Sequence, residues 1–170
     1  EIQAVVTGPV SKKWLHDAGF AFPGQTEFFA TRCGVDDFAM CLTGNKITVA
    51  LVTAHVPLVD VSRILTRSEI VRVGQLLAAF LVRRGVPRPR IAVAGLNPHA
   101  GESGDLGSEE IEIITPAVQS LRQSLKGAVA ISGPHSADTL FHRVVQGEFD
   151  AVLCMYHDQG LIPLKLHAFD

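Results

Sequence analysis

Three histidines of this chain share one setting, because each follows directly on an apolar stretch. The stretches and their histidines are residues 47–54 with His55, residues 91–98 with His99, and residues 151–156 with His157. Open α/β sheets bind ligands just beyond the carboxyl ends of their strands. Three imidazoles at such ends can surround one ion of zinc, iron, cobalt or nickel and leave a coordination position for a substrate. A histidine after a strand is also a common hydrogen-bonded structural residue, so both interpretations stay open.

Three further segments bear on whether the ligand is an anion. Residues 7–12 join an expected strand to an expected helix, whose free N–H groups can hold an anion. Lys165 closes an apolar segment and can contact phosphate as a point charge, or remain solvated. Residues 101–107 are rich in glycine, but Glu102 and Asp105 would repel phosphate. We therefore expect this last segment to be an acidic loop at the site entrance, or a plain surface loop.

The composition is that of an ordinary globular domain. The chain has 170 residues, of which 47% are apolar and 19% are charged, and its formal net charge is −2. The mixed charges give no support for binding nucleic acid or an anionic membrane surface, and no apolar run approaches the roughly 20 residues that span a bilayer. No secretory signal is visible, which favours a cytoplasmic protein. The three cysteines lack disulfide or metal-site spacing and are expected to be reduced, buried thiols.

Both ends of the sequence are abrupt. The chain begins without Met, enters an apolar stretch at once, and stops at Asp170 with no closing helix. We therefore expect residues 1–170 to be the central portion of a longer protein, with N- and C-terminal parts missing.

Short Val- and Ile-rich runs alternate with amphipathic stretches along the chain, a pattern typical of an α/β domain. The predicted strands cover residues 2–7, 38–43, 47–53, 91–95, 151–155 and 161–166. The predicted helices cover residues 11–19, 27–33, 66–84 and 137–146, and another begins at Ser108 with Glu109 and Glu110 in its first turn. Gly44 and Asn45 form the turn of a hairpin between the second and third strands. We predict a largely parallel but mixed sheet, whose strand order the sequence does not reveal.

Six motifs of this chain resemble one known family in their order and spacing. They are TGP (residues 7–9), FPGQTEFF (22–29), LVTAHVPL (51–58), GLNPHAGE (95–102), ADTLF (137–141) and MYHDQGL (155–161). The family is 4-hydroxythreonine-4-phosphate dehydrogenase, the pyridoxal phosphate biosynthesis protein PdxA. The resemblance runs through the whole chain, which is similar to the middle portion of the longer family members.

The resemblance implies a three-layer α/β/α fold similar to that of isocitrate and isopropylmalate dehydrogenases. It implies that His55, His99 and His157 are ligands of a divalent metal, for which zinc, magnesium and cobalt are candidates. It implies that Thr26 and Lys165 contact the substrate and that NAD or NADP is the second cofactor. It also implies a homodimer whose active sites lie at the subunit interface, with ligands drawn from both subunits.

Two positions depart from the family pattern. Gln25 stands beside Thr26 where the family usually has a histidine, so a neutral hydrogen-bond donor replaces a side chain that can carry charge. Asp105 replaces a usual histidine in the glycine-rich loop. We expect Gln25 to bind substrate still, and this departure leaves the choice of substrate open.

The activity that the resemblance implies is oxidation of 4-phosphohydroxy-L-threonine to a 3-keto acid. This acid loses CO2 to give 3-amino-2-oxopropyl phosphate, in pyridoxal 5'-phosphate (vitamin B6) biosynthesis. Asp138 and Asp158 are the candidate catalytic residues, which would orient a ligand histidine or relay a proton. Asp138 is equally suited to capping a helix.

Three alternatives remain open at this point. A related metal-dependent dehydrogenase would act on phosphorylated threonate or erythronate, or on an aromatic dihydrodiol. A three-histidine metal-dependent hydrolase would need a glutamate as general base, as in H-E-x-x-H, and this motif is absent from the sequence. A non-catalytic binding protein would show no metal-dependent activity.

Overall fold

The structure of this chain is a computed structural model. It describes residues 4–8, 10–22 and 24–168. The chain divides into two compact units, Glu1–Phe38 and Ala39–Asp170. Among the described residues, no helix is both long enough and apolar enough to cross a membrane.

The unit Glu1–Phe38 contains two short helices, both of which the sequence predicts. They are α1 (Lys12–Asp17) and α2 (Gln25–Cys33). The rings of Phe20, Phe22 and Phe28 lie in mutual contact, with centroids 5.3 to 5.5 Å apart. These aromatic contacts are the main apolar packing beside α2, which has no fully buried residue of its own.

The unit Ala39–Asp170 is built on a five-stranded sheet with the order β1-β2-β5-β3-β4. The strands are β1 (Cys41–Thr43), β2 (Thr48–Leu51), β3 (Arg90–Ala94), β4 (Ala130–His135) and β5 (Ala151–Cys154). The β1–β2 hairpin is antiparallel, whereas the three other strand pairs are parallel. The carboxyl ends of β2, β5, β3 and β4 therefore lie at one edge of the sheet. The predicted mixed, largely parallel sheet is confirmed.

Helices cover both faces of this sheet. They are α3 (Leu58–Ile64), α4 (Arg67–Arg83), α5 (Thr115–Leu125), α6 (Ala137–Val145) and α7 (His157–Ala168). One buried apolar cluster packs α4 and α5 against the sheet, and a second packs α6 and α7. The alternation along β5 shows the two faces, because Leu153 belongs to the first cluster whereas Val152 and Cys154 belong to the second. The predicted three-layer α/β/α arrangement is confirmed.

Helix α4 forms where local sequence predicts it. Its buried residues include Ile70, Val73 and Leu77, whose spacing makes one apolar stripe along a helix. The Thr66 hydroxyl accepts a hydrogen bond from the Glu69 backbone N–H at 3.2 Å and caps the first turn. Periodicity and cap agree, so both ends of this helix fall within one or two residues of the prediction.

The strand predicted at residues 161–166 is wrong, because this segment lies inside α7. Leu161 and Leu164 are buried, whereas Ile162 and Leu166 are exposed. Burial three residues apart is the spacing of a helix rather than of a strand. A short apolar run does not by itself distinguish the two structures.

The strand predicted at residues 2–7 is also wrong where it can be compared. Residues 4–7 are irregular and exposed, and residues 2 and 3 lie outside the described part of the chain. An isolated extended segment leaves its backbone N–H and C=O groups without ladder partners. A Val-rich run therefore makes a strand only where a neighbouring strand is available.

All three cysteines are free thiols, as the sequence predicts. Cys154 is buried in β5, and this burial raises the pKa of its thiol. Cys33 and Cys41 are exposed, so the expectation of buried thiols is wrong for these two.

The starts of β3 and β5 are joined by an ion pair with backbone contacts. Arg90 donates from its backbone N–H and its Nε to Asp150 Oδ2 at 2.7 and 3.1 Å, and from Nη2 to Oδ1 at 2.8 Å. The Asp150 backbone N–H donates to the Arg90 carbonyl at 2.8 Å. These hydrogen bonds, led by the one from the Arg90 side chain, hold the pKa of Asp150 below its ordinary value of 3.8.

Replacing Asp150→Asn is expected to destabilise the protein at neutral pH by about 1 kcal/mol, because the exposed guanidinium is screened by solvent. A lowered folded-state pKa stabilises the protein above the unfolded pKa, and this contribution is lost as the pH falls through the folded value. Urea unfolding at pH 7 and through an acid series checks this. The difference in free energy of unfolding between wild type and Asp150→Asn should become smaller in acid. The control variant Asp36→Asn, at an exposed carboxylate, should have the same stability as wild type. A gap that stays constant in acid would contradict the assignment.

Candidate active site

His55 and His157 follow neighbouring parallel strands and meet at the same edge of the sheet. His55 lies four residues beyond β2, and His157 is the first residue of α7, just after β5. Their ring centroids are 5.4 Å apart, with the ring planes inclined by 43°. Two imidazoles that bind one ion at the usual metal–nitrogen distance of about 2.1 Å hold their centroids roughly 5 Å apart. This pair of donors therefore fits a common divalent ion.

Asp158 holds the ring of His157. Its Oδ1 lies 2.7 Å from His157 Nδ1, and because a carboxylate oxygen accepts, the ring nitrogen is the donor. A proton fixed on Nδ1 leaves the Nε2 lone pair for a ligand, as is common for metal-binding histidines. The His157 side chain is 33% exposed, so it remains accessible from solvent.

A cavity of about 230 Å³ opens beside this pair. Its lining includes both imidazoles, Asp158, Tyr156 and the apolar side chains of Val56 and Leu58. Burial raises the pKa of Tyr156, so this phenol remains a neutral hydrogen-bond donor at physiological pH. A small apolar pocket with a few polar groups at one end is typical of small-molecule sites.

Two buried polar side chains hold the three strand ends in register. The Thr53 hydroxyl donates to the Met155 carbonyl at 2.7 Å and joins the end of β2 to that of β5. Gln159 accepts from the Met155 backbone N–H at 2.7 Å and donates to the Gly95 carbonyl at 2.6 Å, which joins β5 to β3. Sequence reasoning missed both residues. Two sequence signals could have revealed them. Thr53 is a single polar residue in an otherwise apolar segment, and Gln159 lies in a segment rich in predicted site residues.

His99 occupies a different setting, in a tight turn after β3. The turn covers Pro98–Gly104, and all five residues from 99 to 103 have positive φ. The predicted loop at residues 101–107 is thus partly a left-handed turn, with Glu102 and Asp105 exposed. The imidazole of His99 is exposed and lies close enough to Asp138 for its charge to act on that carboxylate.

Asp138 lies in the first turn of α6, and the N-cap position is occupied by Ser136 rather than by Asp138. The Ser136 hydroxyl donates to Asp138 Oδ1 at 2.6 Å. This hydrogen bond is the main cause that lowers the pKa of Asp138, and the charge of His99 acts in the same direction. The carboxylate therefore stays ionised beside His99.

The helix predicted to begin at Ser108 does begin there, because Glu109 is helical and the Ser108 carbonyl accepts a hydrogen bond from the Glu112 backbone N–H at 2.9 Å. It opens with a π-helical turn, Glu110–Ile114, before α5. Glu110 is buried in the first turn, and its carboxylate turns towards the segment before His99. The prediction of a first-turn glutamate is confirmed, and the tertiary contacts of this carboxylate are a finding of the structure alone.

The structure thus brings together only part of the predicted site. His55, His157 and Asp158 lie in one cluster, whereas His99 lies beside Asp138. Among the described residues, no group of three or more His, Cys, Asp or Glu side chains is close enough to hold a metal ion.

The predicted substrate-binding residues lie elsewhere. Lys165 is exposed on α7, two helical turns beyond His157. Gln25 and Thr26 are half-buried in the first turn of α2, in the unit Glu1–Phe38.

The sequence of this chain matches known proteins along its whole length. The family described as pyridoxal phosphate biosynthetic protein PdxA matches residues 1–170. A 4-hydroxythreonine-4-phosphate dehydrogenase of Desulforapulum autotrophicum is 49% identical over 170 residues, which cover 99% of this chain and 49% of that protein. The chain therefore spans about half the length of such relatives.

Solved structures agree with this match. The 4-hydroxythreonine-4-phosphate dehydrogenase of Klebsiella pneumoniae superposes with a TM-score of 0.87 and 46% identity, over 95% of this chain and 48% of that one. A terephthalate 1,2-cis-dihydrodiol dehydrogenase of Burkholderia xenovorans has a TM-score of 0.76 and 30% identity, over 93% and 49%. These likenesses confirm the isocitrate and isopropylmalate dehydrogenase-like fold. On this evidence the chain belongs to the PdxA family of pyridoxal phosphate biosynthetic proteins.

Proposed function

We propose that this chain carries the metal-binding centre of a dehydrogenase that oxidises 4-phosphohydroxy-L-threonine with NAD or NADP, in pyridoxal phosphate biosynthesis. The observation that carries the proposal is the convergence of His55 and His157 at the carboxyl ends of adjacent parallel strands. The relatives that match at about half identity bear the name of this activity. Their names favour a dehydrogenase over a metal-dependent hydrolase or a non-catalytic binding protein.

The proposed ion is held by His55 and His157 of one subunit and by His99 of the second subunit of a homodimer. Two facts support this division. The first two imidazoles converge within one chain, and no third metal-binding side chain joins them among the described residues. The resemblance to the family implies that ligands come from both subunits. Imidazole donors suit zinc or cobalt better than magnesium, which prefers oxygen ligands.

When bound, the ion supplies positive charge that lowers the pKa of a substrate hydroxyl, and the nicotinamide accepts hydride. The hydroxyl proton passes to solvent and the hydride leaves C3 for the nicotinamide. The resulting 3-keto acid loses CO2, and the enolate left behind takes up a proton from solvent to give 3-amino-2-oxopropyl phosphate. The chain's own residues prepare the site for this chemistry. Asp158 fixes the tautomer of His157 through its hydrogen bond to Nδ1, and Asp138 lies beside His99 as an ionised carboxylate. Asp158 therefore orients one ligand imidazole, and orienting His99 is the role that we propose for Asp138.

The proposed substrate-binding residues are Gln25 and Thr26, in the unit Glu1–Phe38, and Lys165, in the unit Ala39–Asp170. Lys165 provides positive charge, and the amide of Gln25 donates without charge. Thr26 adds a hydroxyl donor at the start of α2, whose first-turn N–H groups also favour an anion.

The second candidate is a dehydrogenase of the same scaffold with another substrate. The likeness to a terephthalate dihydrodiol dehydrogenase favours an aromatic dihydrodiol, and Gln25, by removing a cationic side chain, makes a less anionic ligand easier to accept. Phosphorylated threonate and erythronate are further candidates of this class.

Turnover by the full-length protein tests the proposal. Production of reduced nicotinamide should require 4-phosphohydroxy-L-threonine together with zinc or cobalt, and should stop when a chelator removes the metal. Phosphorylated threonate, phosphorylated erythronate and an aromatic cis-dihydrodiol serve as parallel substrates. Faster turnover of one of these would replace the proposed substrate, and turnover that survives complete metal removal would refute the proposed centre.

A further inference from the structure

Glu110 is a buried carboxylate that no part of the proposed chemistry uses. Only 3% of this residue is exposed. Its Oε1 accepts hydrogen bonds from the backbone N–H groups of Leu96 and Asn97 at 2.7 and 2.8 Å. Its Oε2 accepts from Asn97 Nδ2 at 2.9 Å. A buried carboxylate is costly unless such donors compensate it, so its place under this turn needs a reason.

The turn beside Glu110 is strained. His99, Ala100, Glu102 and Ser103 all adopt left-handed φ values between 43° and 60°. The left-handed helical conformation costs a non-glycine residue roughly 1–2 kcal/mol. A run of such residues persists only where the surrounding structure holds it. Something must therefore hold the backbone that carries His99.

The Glu110 carboxylate also packs closely against the backbone of the turn and of the segment before it. A Cβ built on Gly101, inside the turn, would lie 2.7 Å from Glu110 Oε2. A Cβ built on Gly95, before the turn, would lie 3.1 Å from Oε1. The carboxylate thus lies close to the backbone on both sides of His99. A side chain at Gly101 would collide with it, whereas one at Gly95 would require a shift of a few tenths of an ångström.

We infer that Glu110 is a positioning residue, which holds the left-handed turn and so fixes the backbone from which the His99 imidazole projects. The inference rests on the proposed role of His99 as a metal ligand. Glu109, the preceding residue, accepts a hydrogen bond from Asn97 Nδ2 at 2.7 Å. The two adjacent glutamates therefore have different roles.

Cobalt binding by the full-length protein, followed by visible absorption, tests this inference. Glu110→Gln keeps the size of the side chain but sets an amide N–H group against Asn97 Nδ2, itself a donor. We expect Co²⁺ affinity to fall about 10- to 100-fold, the usual effect of losing a group that orients a ligand. The spectrum of the bound ion should change as it does in His99→Ala. Glu112→Gln, the same substitution at an exposed position of the same helix, should change neither the Co²⁺ affinity nor the spectrum of the bound ion.

A double-mutant cycle separates positioning from general destabilisation. In the His99→Ala background, Glu110→Gln should cause no further loss of Co²⁺ affinity, because the residue acts through His99. The inference would be overturned if Glu110→Gln reduced Co²⁺ affinity equally in the wild-type and His99→Ala backgrounds, or if it reduced the affinity in neither. If His99→Ala itself binds Co²⁺ like wild type, the proposed metal role of His99 fails first, and the inference fails with it.

A second variant covers the case in which Glu110→Gln does not fold. Asn97→Ala removes only the Nδ2 donor and leaves both backbone N–H bonds to Oε1. Its loss of Co²⁺ affinity should be smaller than 10-fold and should again vanish in the His99→Ala background. Persistence of the loss in that background would count against the inference in the same way.

Discussion

Mixing subunits that carry His55→Ala with subunits that carry His99→Ala is expected to restore activity that neither variant has alone. Each single variant removes one imidazole from every site, and activity should fall on the order of 10³-fold because metal stabilisation is worth several kcal/mol. In a mixed dimer one site lacks both histidines, whereas the other has His55 and His157 from one subunit and His99 from the other. That second site is complete.

The amount of activity that should return follows from the number of complete sites in the mixture. With random pairing in a two-fold symmetric dimer, half of the molecules are mixed and each has one complete site, so about a quarter of wild-type activity should return. Subunit exchange is verified with two different affinity tags, and activity is measured on the doubly tagged fraction. In that purified fraction the expected recovery is about half of wild type.

The matched control is a mixture of His55→Ala and His157→Ala subunits. These two histidines lie 5.4 Å apart by ring centroid in one chain, so every site in the mixed dimer lacks one of them and activity should stay low. Recovery in this control, or none with the His55 and His99 pair, would show that the division of ligands between subunits is wrong.

Replacing Gln159→Leu is expected to lower the free energy of unfolding by about 2–5 kcal/mol. The side chain is buried and satisfies two backbone groups, the Met155 N–H and the Gly95 carbonyl. Leucine fills a similar volume but makes neither hydrogen bond. Each buried group left without a partner costs about 1–3 kcal/mol. Urea unfolding of the full-length protein, followed by circular dichroism, measures the loss.

Gln119→Leu is the matched control for this variant. The substitution is identical, but Gln119 is exposed on α5, and exposed changes usually stay within about 0.5 kcal/mol. Equal stability of the two variants would mean that a rearrangement or a water molecule replaces the lost bonds, and that Gln159 does not hold β5 and β3 together.

Some elements were predictable because their signals are local. Helix α4 has a complete apolar stripe and a threonine cap, so a short window of sequence contains everything that decides it. The hairpin of β1 and β2 has a Gly44-Asn45 turn between two largely apolar runs. The family motifs likewise marked the histidines and acids by their spacing alone.

Other features depend on which distant segments become neighbours. The pairing of Val49 with Val152 places β2 beside β5, and nothing near either residue in sequence indicates it. That pairing, rather than the shared strand-end position, brings His55 to His157 and leaves His99 with Asp138. Glu110 shows the same limit, since its local pattern indicates a helix start and its contacts lie with Leu96 and Asn97.

The sequence by itself therefore determined the α/β class and the family, and it proposed a set of residues able to do chemistry, because periodicity, caps and motifs are properties of contiguous residues. Only the tertiary structure decided strand order, the helical state of residues 161–166, and which histidines converge. The physical reason is that these depend on contacts between residues far apart in the chain, whose free energy exists only once the sheet has assembled.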